Sequence, residues 1–149
     1  MPIDSDISGI AHVIQLAIAP VFLLTGIAGL LGVMANRLAR VIDRARNIEE
    51  KLDQLDGEAA ARAQVLLASL TERARLASWA INFCTAAALL IFTDIATLFI
   101  DAFVGTQLRW LVGALFILTM LALICGLITF LREVYLATHT LSIGKRVVK

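Results

Sequence analysis

The sequence contains few of the residues from which enzyme and metal sites are built. Its 149 residues include two cysteines and two histidines. The two cysteines, Cys84 and Cys125, lack the short spacing of metal ligands, and we expect both to be reduced thiols. Phosphate-binding glycine loops, HExxH zinc motifs and nucleophile elbows are also missing. The sequence therefore predicts a protein that is not an enzyme and that binds no cofactor or metal.

Formal charge is missing from long stretches of the chain. Residues 7–36 and 110–131 carry none, and residues 76–100 carry only Asp94. Each stretch reaches the roughly 20 residues that a helix needs to cross a bilayer. The hydrophobic content of 60% and the mean hydropathy of +0.87 agree with that interpretation. We predict an all-α integral membrane protein in one domain, with transmembrane helices at these three positions.

Lysine and arginine are distributed unevenly between the segments that flank the three apolar stretches. Residues 37–75 hold eight of them and the tail, residues 132–149, holds four, whereas the N-terminus has none and residues 101–109 have only Arg109. Basic residues favour the cytoplasmic side of a membrane. This distribution predicts an external N-terminus and a cytoplasmic C-terminus. We expect the basic tail to lie along the inner membrane surface and to contact lipid.

Residues 37–75 show the pattern of a cytoplasmic helical hairpin. Apolar residues recur at alternating spacings of three and four, as in a coiled coil, up to the turn signal Asp56-Gly57-Glu58. This predicted seam consists of Leu38, Val41, Ala45, Ile48, Leu52 and Leu55. A similar stripe returns after the turn, and whether the stripes pair within one chain or between chains stays open. Eight basic and seven acidic residues nearly balance, which argues against nucleic-acid binding and leaves a cytoplasmic protein partner possible.

Two segments of the chain resemble those of a known family. The resemblance rests on Ala19-Pro20-Val21-Phe22-Leu23-Leu24 and on Asn36-Arg37-Leu38-Ala39-Arg40-Val41-Ile42-Asp43-Arg44-Ala45-Arg46. These segments are similar to those of small bacterial membrane proteins that are catalogued only as a domain of unknown function. The resemblance spans most of the chain and implies a bacterial origin, but no activity, cofactor or site.

Asp94 is the most informative single residue, because a carboxylate at membrane depth is costly and normally faces a bundle interior or water. Thr97 and Asp101 share its helical face. In a symmetric oligomer this face could line a cation pathway. Alternatively, Asp94 pairs with Arg109, or is protonated and hydrogen-bonded between helices. A proton-sensitive contact with His12 is a weaker option.

The first apolar stretch carries a stripe of small and polar residues at three- and four-residue spacings. Gln15, Thr25 and Asn36 are its polar members, and they are further candidates for an ion pathway. The glycines Gly29 and Gly32 favour close helix packing, as does Gly126 in the third stretch. Packing between helices is the alternative role for the whole stripe.

A charged cluster follows the first apolar stretch at the expected membrane edge. It consists of Arg37, Arg40, Asp43, Arg44 and Arg46. These residues are candidates for a cytoplasmic gate or for contact with anionic lipid, with Asp43 able to pair with Arg40 or Arg46. A simple anchor of arginines at the headgroup level is the other interpretation.

Two functional hypotheses follow from these features. The first is a homo-oligomeric cation channel of the bacterial inner membrane, with Asp94 and its neighbours in the pathway. The second is a scaffold or regulatory subunit that binds a partner through the cytoplasmic hairpin. Three helices bury little surface by themselves in lipid, so either function predicts self-association.

Overall fold

The computed structural model is entirely helical over the residues that it describes. Backbone is described for residues 3–52, 54–105 and 108–143, and side chains for residues 11–52, 54–105 and 108–138. Three helices follow one another: α1 (Ile3–Leu52), α2 (Glu58–Val104) and α3 (Arg109–Ile143). The all-α prediction is confirmed.

Each helix contains a segment long and apolar enough to cross a bilayer. The candidate spans lie within Ala11–Leu52, Glu58–Val104 and Arg109–Thr138. Their apolar windows are largely exposed in the isolated chain, which is the pattern of helices that face lipid or other membrane helices rather than water. The chain is therefore a multi-pass membrane protein, as the sequence predicted.

The helices continue well beyond the apolar stretches. α1 passes through Pro20 without a break and runs on through the charged residues to Leu52. α3 likewise extends past residue 131, so residues 132–143 continue this helix. The end of the predicted interfacial tail, with Lys145, Arg146 and Lys149, lies outside the described residues.

Glycines stand at both connections between helices. Gly57 has φ +61° immediately before α2, at the turn that the sequence predicted, and Gly105 has φ +68° immediately after α2. Side chains disfavour this left-handed backbone, which explains glycine at both positions. The Gly105 N–H donates to the Asp101 carbonyl at 2.9 Å and closes the last turn of α2.

The chain divides into two compact units. Unit 1 comprises Met1–Leu31 and Phe83–Ile124, and its buried side chains include Ala17, Ile27, Ala87, Ile91 and Thr119. Unit 2 comprises Gly32–Asn82 and Cys125–Lys149, and its buried side chains include Met34, Val41, Leu70, Ala77 and Glu133. The small alanines allow helix backbones to approach closely within each unit.

The charged segment of unit 2 buries part of the predicted seam. Val41 of α1 and Leu70 of α2 are buried and line the same small cavity, so their helices lie side by side at that level. Ile48 is half-buried and Leu55 is exposed. Coiled-coil packing along the whole hairpin stays a prediction.

Candidate functional site

A cavity of about 1100 Å³ lies in unit 1 and contains Asp94 in its lining. We refer to it as the Asp94 cavity. Its lining comes from α1, from the second half of α2 and from the start of α3, and includes His12, Leu16, Pro20, Asp94, Leu98, Asp101, Arg109, Trp110 and Phe116. Apolar residues form most of this surface. The few polar side chains therefore dominate its chemistry.

Asp94 is buried, with 2% of its surface exposed. Its Oδ1 atom accepts no hydrogen bond from the part of the chain that the structure describes. Burying an ionised carboxylate without compensation is costly, so such groups are normally paired, protonated or bound to a cation. Arg109 lines the same cavity, yet no ion pair between Arg109 and Asp94 is found among the described residues. Asp94 thus lines the cavity without an ion pair to any described residue.

Asp101 has a structural partner as well as a place in the cavity. Its Oδ1 accepts a hydrogen bond of 2.8 Å from the backbone N–H of Leu108, one residue before α3 begins. This bond ties the end of α2 to the start of α3. Two carboxylates and one guanidinium, that of Arg109, leave the lining with one net negative charge when His12 is neutral.

Thr97 is buried on the Asp94 face of α2 but is not among the residues that line the cavity. Its hydroxyl donates to the carbonyl of Thr93 at 2.8 Å within the same helix. The hydroxyl oxygen keeps its acceptor capacity. Of the three predicted residues on this face, Asp94 and Asp101 are thus brought together in one cavity and Thr97 lies beside it.

The polar stripe of α1 does not line the Asp94 cavity. Gln15, Thr25 and Asn36 are exposed, and the Thr25 hydroxyl donates to its own helix at Val21. A side chain added at Gly29 or Gly32 would meet no atom within 4 Å. The stripe therefore faces away from the described chain. Gly126 of α3, by contrast, is buried.

Glu133 forms a second buried charged centre, within unit 2. It is 1% exposed, and its Oε1 accepts hydrogen bonds from Arg73 Nη2 at 3.0 Å and Nε at 3.3 Å. Its Oε2 lies 3.1 Å from Arg37 Nη2, an ion pair outside hydrogen-bond geometry. The Arg37 guanidinium also stands over the Phe130 ring at 5.3 Å. One carboxylate thus joins α1, α2 and α3.

This centre was not predicted from the sequence. Arg37 was predicted to be a membrane-edge residue, and Glu133 and Arg73 were given no shared role because they are sixty positions apart in the chain. A usable signal was nevertheless present. All three residues lie just beyond the ends of apolar stretches. Such positions are expected at the same membrane boundary, where opposite charges from different helices can pair.

The predicted membrane-edge cluster separates into two groups in the structure. Arg37, Arg40 and Arg44 line a cavity of about 280 Å³ together with Arg73 and the apolar Val41 and Leu70. We refer to it as the arginine pocket. Asp43 and Arg46 are exposed and do not line it. The predicted pairing of Asp43 with Arg40 or Arg46 is not found among the ion pairs of the described residues.

Neither metal ligation nor disulfide chemistry is indicated by the described side chains. Groups of three or more histidine, cysteine or acidic residues that could hold a metal ion are absent from them. Cys84 is buried and Cys125 exposed, and no disulfide joins them. The Asp94 cavity and the arginine pocket are therefore the two candidate sites.

Comparison with known proteins identifies the family. No curated protein and no solved structure matches the chain. One family, described as "Protein of unknown function (DUF2721)", matches residues 17–143, which include α1 from Ala17 onward, α2 and α3. This match covers most of the chain and includes Asp94, the arginine pocket and Glu133. The protein is a member of the DUF2721 family.

Proposed function

We propose that the protein is a homo-oligomeric channel for small cations and that Asp94 is its cation-binding residue. One observation carries the proposal: a buried carboxylate with an unpartnered oxygen lines a cavity of about 1100 Å³ inside a membrane protein. A cation at Asp94 would compensate the carboxylate charge that the described residues leave unpaired.

The composition of the Asp94 cavity supports weak and reversible binding. Conduction needs a site that attracts an ion and also releases it. Asp94 and Asp101 attract a cation, whereas Arg109 offsets one of these two charges. Asp101 also uses one oxygen for the Leu108 N–H, so a cation in the cavity would not meet two fully available carboxylates. We therefore expect a cation to occupy the Asp94 cavity only transiently.

The outward stripe of α1 supports self-association. Gln15, Thr25 and Asn36 are polar groups on a face that the described chain leaves uncovered, and Gly29 and Gly32 leave room for another backbone. Lipid cannot satisfy the side-chain amides of Gln15 and Asn36, whereas a second copy of the helix can. Residues that were predicted to line an ion pathway would then lie at the interface between copies or along a shared pore.

Orientation and location form part of the proposal. The basic residues of 37–75 and of the tail favour a cytoplasmic hairpin and C-terminus, with the N-terminus outside the bacterial inner membrane. In this orientation Asp94 lies in the outer half of its apolar stretch, and Arg37 directly follows the cytoplasmic end of the first apolar stretch.

Cation flux into liposomes tests the proposal. Wild-type protein and Asp94→Asn would be reconstituted at matched density, with Asp43→Asn as the control because Asp43 is an exposed carboxylate outside the cavity. We expect Asp94→Asn to lower the flux at least about tenfold, the effect of about 1.4 kcal/mol at one site. Asp43→Asn should retain the wild-type rate. Equal rates for all three proteins would contradict a role for Asp94.

A scaffold function is the second candidate, because the charged segment exposes apolar side chains. Val65 is 73% exposed and Ile42 is 45% exposed, although both lie among charged residues outside the apolar stretches. Such positions suit contact with a cytoplasmic partner. Ile42→Asp with Val65→Asp should abolish partner capture and leave cation flux unchanged. Flux that is absent from the wild type, together with capture that depends on these residues, would favour the scaffold.

A further inference from the structure

The arginine pocket concentrates positive charge on one concave surface. Arg37, Arg40 and Arg44 follow one another at spacings of three and four residues, which places them on one face of α1. Arg73 reaches the same cavity from α2. The buried side chains of Val41 and Leu70 provide apolar surface between the arginines. Four arginines from two helices thus line a cavity of about 280 Å³.

The described residues leave this charge largely uncompensated. Glu133 is ion-paired with Arg37 and Arg73, so one carboxylate serves two of the four guanidinium groups. Arg40 and Arg44 have no ion pair with any described residue, although the exposed Asp43 adjoins Arg44 in the sequence. Like charges four residues apart on a helix repel each other. An anion bound between the arginines would relieve this repulsion.

We propose that the arginine pocket binds a negatively charged phosphoryl group. The planar guanidinium forms paired hydrogen bonds with phosphate oxygens, and arginine is the residue that favours this geometry. The arginine pocket, at about 280 Å³, lies just below the roughly 300–1000 Å³ typical of small-molecule pockets. This size suits a headgroup or an ion better than a nucleotide. This proposal is independent of cation conduction at Asp94.

The position of the pocket along the helices makes a lipid headgroup the expected source. Arg37 directly follows the uncharged residues 7–36, and Arg73 lies three residues before the apolar residues 76–100. Phosphates of anionic lipids lie at this boundary. Free inorganic phosphate offers the same oxygen chemistry and is distinguished by experiment.

Lipid binding by the full-length protein tests the proposal. The pocket variant is Arg40→Ala with Arg44→Ala, which leaves the Glu133 contacts intact. The control is Arg46→Ala with Arg75→Ala, which removes the same charge from exposed positions outside the pocket. Native mass spectrometry in neutral detergent would measure binding of phosphatidylglycerol, with phosphatidylcholine as the uncharged comparison. We expect the pocket variant to lose at least about tenfold in affinity for phosphatidylglycerol and the control less than about threefold.

A competition experiment identifies the source of the phosphoryl group. If millimolar inorganic phosphate leaves phosphatidylglycerol binding unchanged, the pocket binds a lipid headgroup; if phosphate displaces the lipid only from proteins with an intact pocket, the site also binds the free ion. Equal losses in the pocket variant and the control, or losses in neither, would overturn the proposal. Should the alanine variant not fold, Arg40→Gln with Arg44→Gln keeps the side-chain length and removes the same charge.

Discussion

Asp94 and Glu133 illustrate how differently two buried carboxylates can be placed in one chain. Both are at most 2% exposed. Glu133 is ion-paired with Arg37 and Arg73, whereas Asp94 forms no ion pair with a described residue and borders a cavity of about 1100 Å³. Removing one partner of a buried ion pair is costly because it leaves a charge uncompensated, whereas an unpaired acidic residue in a membrane helix is a candidate functional site. We therefore propose a structural role for Glu133 and a ligand-binding role for Asp94.

Replacing Glu133 by glutamine should destabilise the protein. The change leaves Arg37 and Arg73 without a counter-charge, and these side chains are only 29% and 19% exposed. Because the arginines keep some contact with solvent, we expect a loss of roughly 1–3 kcal/mol, below the roughly 3–5 kcal/mol for breaking a fully buried pair. Thermal unfolding in detergent measures the effect. Glu72→Gln, at an exposed position of α2, is the control, and an equal melting temperature for both variants would contradict this role.

The residue scale also shows what sequence reasoning can find. A single charge in an apolar stretch made Asp94 conspicuous, and its burial agrees with that expectation. The union of Arg37, Arg73 and Glu133 was not predicted, because helical periodicity relates neighbours along one helix and says nothing about a partner sixty positions away. From the sequence alone, charged residues just beyond the apolar stretches were interpreted as separate membrane anchors.

At the scale of elements, the helices and their connections were largely predictable. The apolar stretches, the turn at Gly57 and the absence of strands from the described chain follow from composition and periodicity. The orientation of the α1 stripe could not be predicted in this way. Spacing placed Gln15, Thr25 and Asn36 on one face, but only the structure shows that this face is uncovered by the described chain. Helical periodicity shows which residues share a face, but it does not show what packs against that face.

Asp101 has two proposed roles, which different substitutions can separate. Its oxygen accepts a hydrogen bond at the connection between α2 and α3, and its charge lies in the lining of the Asp94 cavity. Asp101→Ala removes the acceptor for the Leu108 N–H and should cost about 1 kcal/mol, as the loss of a helix cap does. Asp101→Asn keeps a side-chain oxygen but removes the charge. We expect thermal unfolding to show a lower stability for the alanine variant alone, and cation flux to fall in both. Normal flux in the asparagine variant would restrict Asp101 to its structural role.

At the scale of the whole molecule, the exposed stripe of α1 predicts that the protein works as an assembly of identical chains. Buried Pro20, Ile27 and Met34 define the inner face of α1, and Gly29 and Gly32 lie on its exposed face. Membrane helices associate through small residues that permit close backbone contact. Self-association through α1 would cover this stripe in every copy.

Bulky substitutions on the stripe test the assembly. Gly29→Leu with Gly32→Leu should dissociate the oligomer while leaving each chain folded, because no atom lies within 4 Å of the added Cβ positions. Native mass spectrometry reports the number of subunits. Ala86→Leu with Ala96→Leu adds the same kind of side chain at exposed positions of α2 and should keep the oligomer. An oligomer that survives the glycine substitutions would place the interface on another face.

Cation conduction through Asp94 is tested most directly by the reversal potential of the protein in planar bilayers under a potassium chloride gradient. We predict that the wild-type reversal potential lies near the potassium equilibrium potential, because one net negative charge lines the Asp94 cavity. Asp94→Asn should move it toward zero, since the buried carboxylate that attracts the cation is then lost. Absence of current in the wild type, or a reversal potential that Asp94→Asn leaves unchanged, would contradict the assignment of a cation site to Asp94.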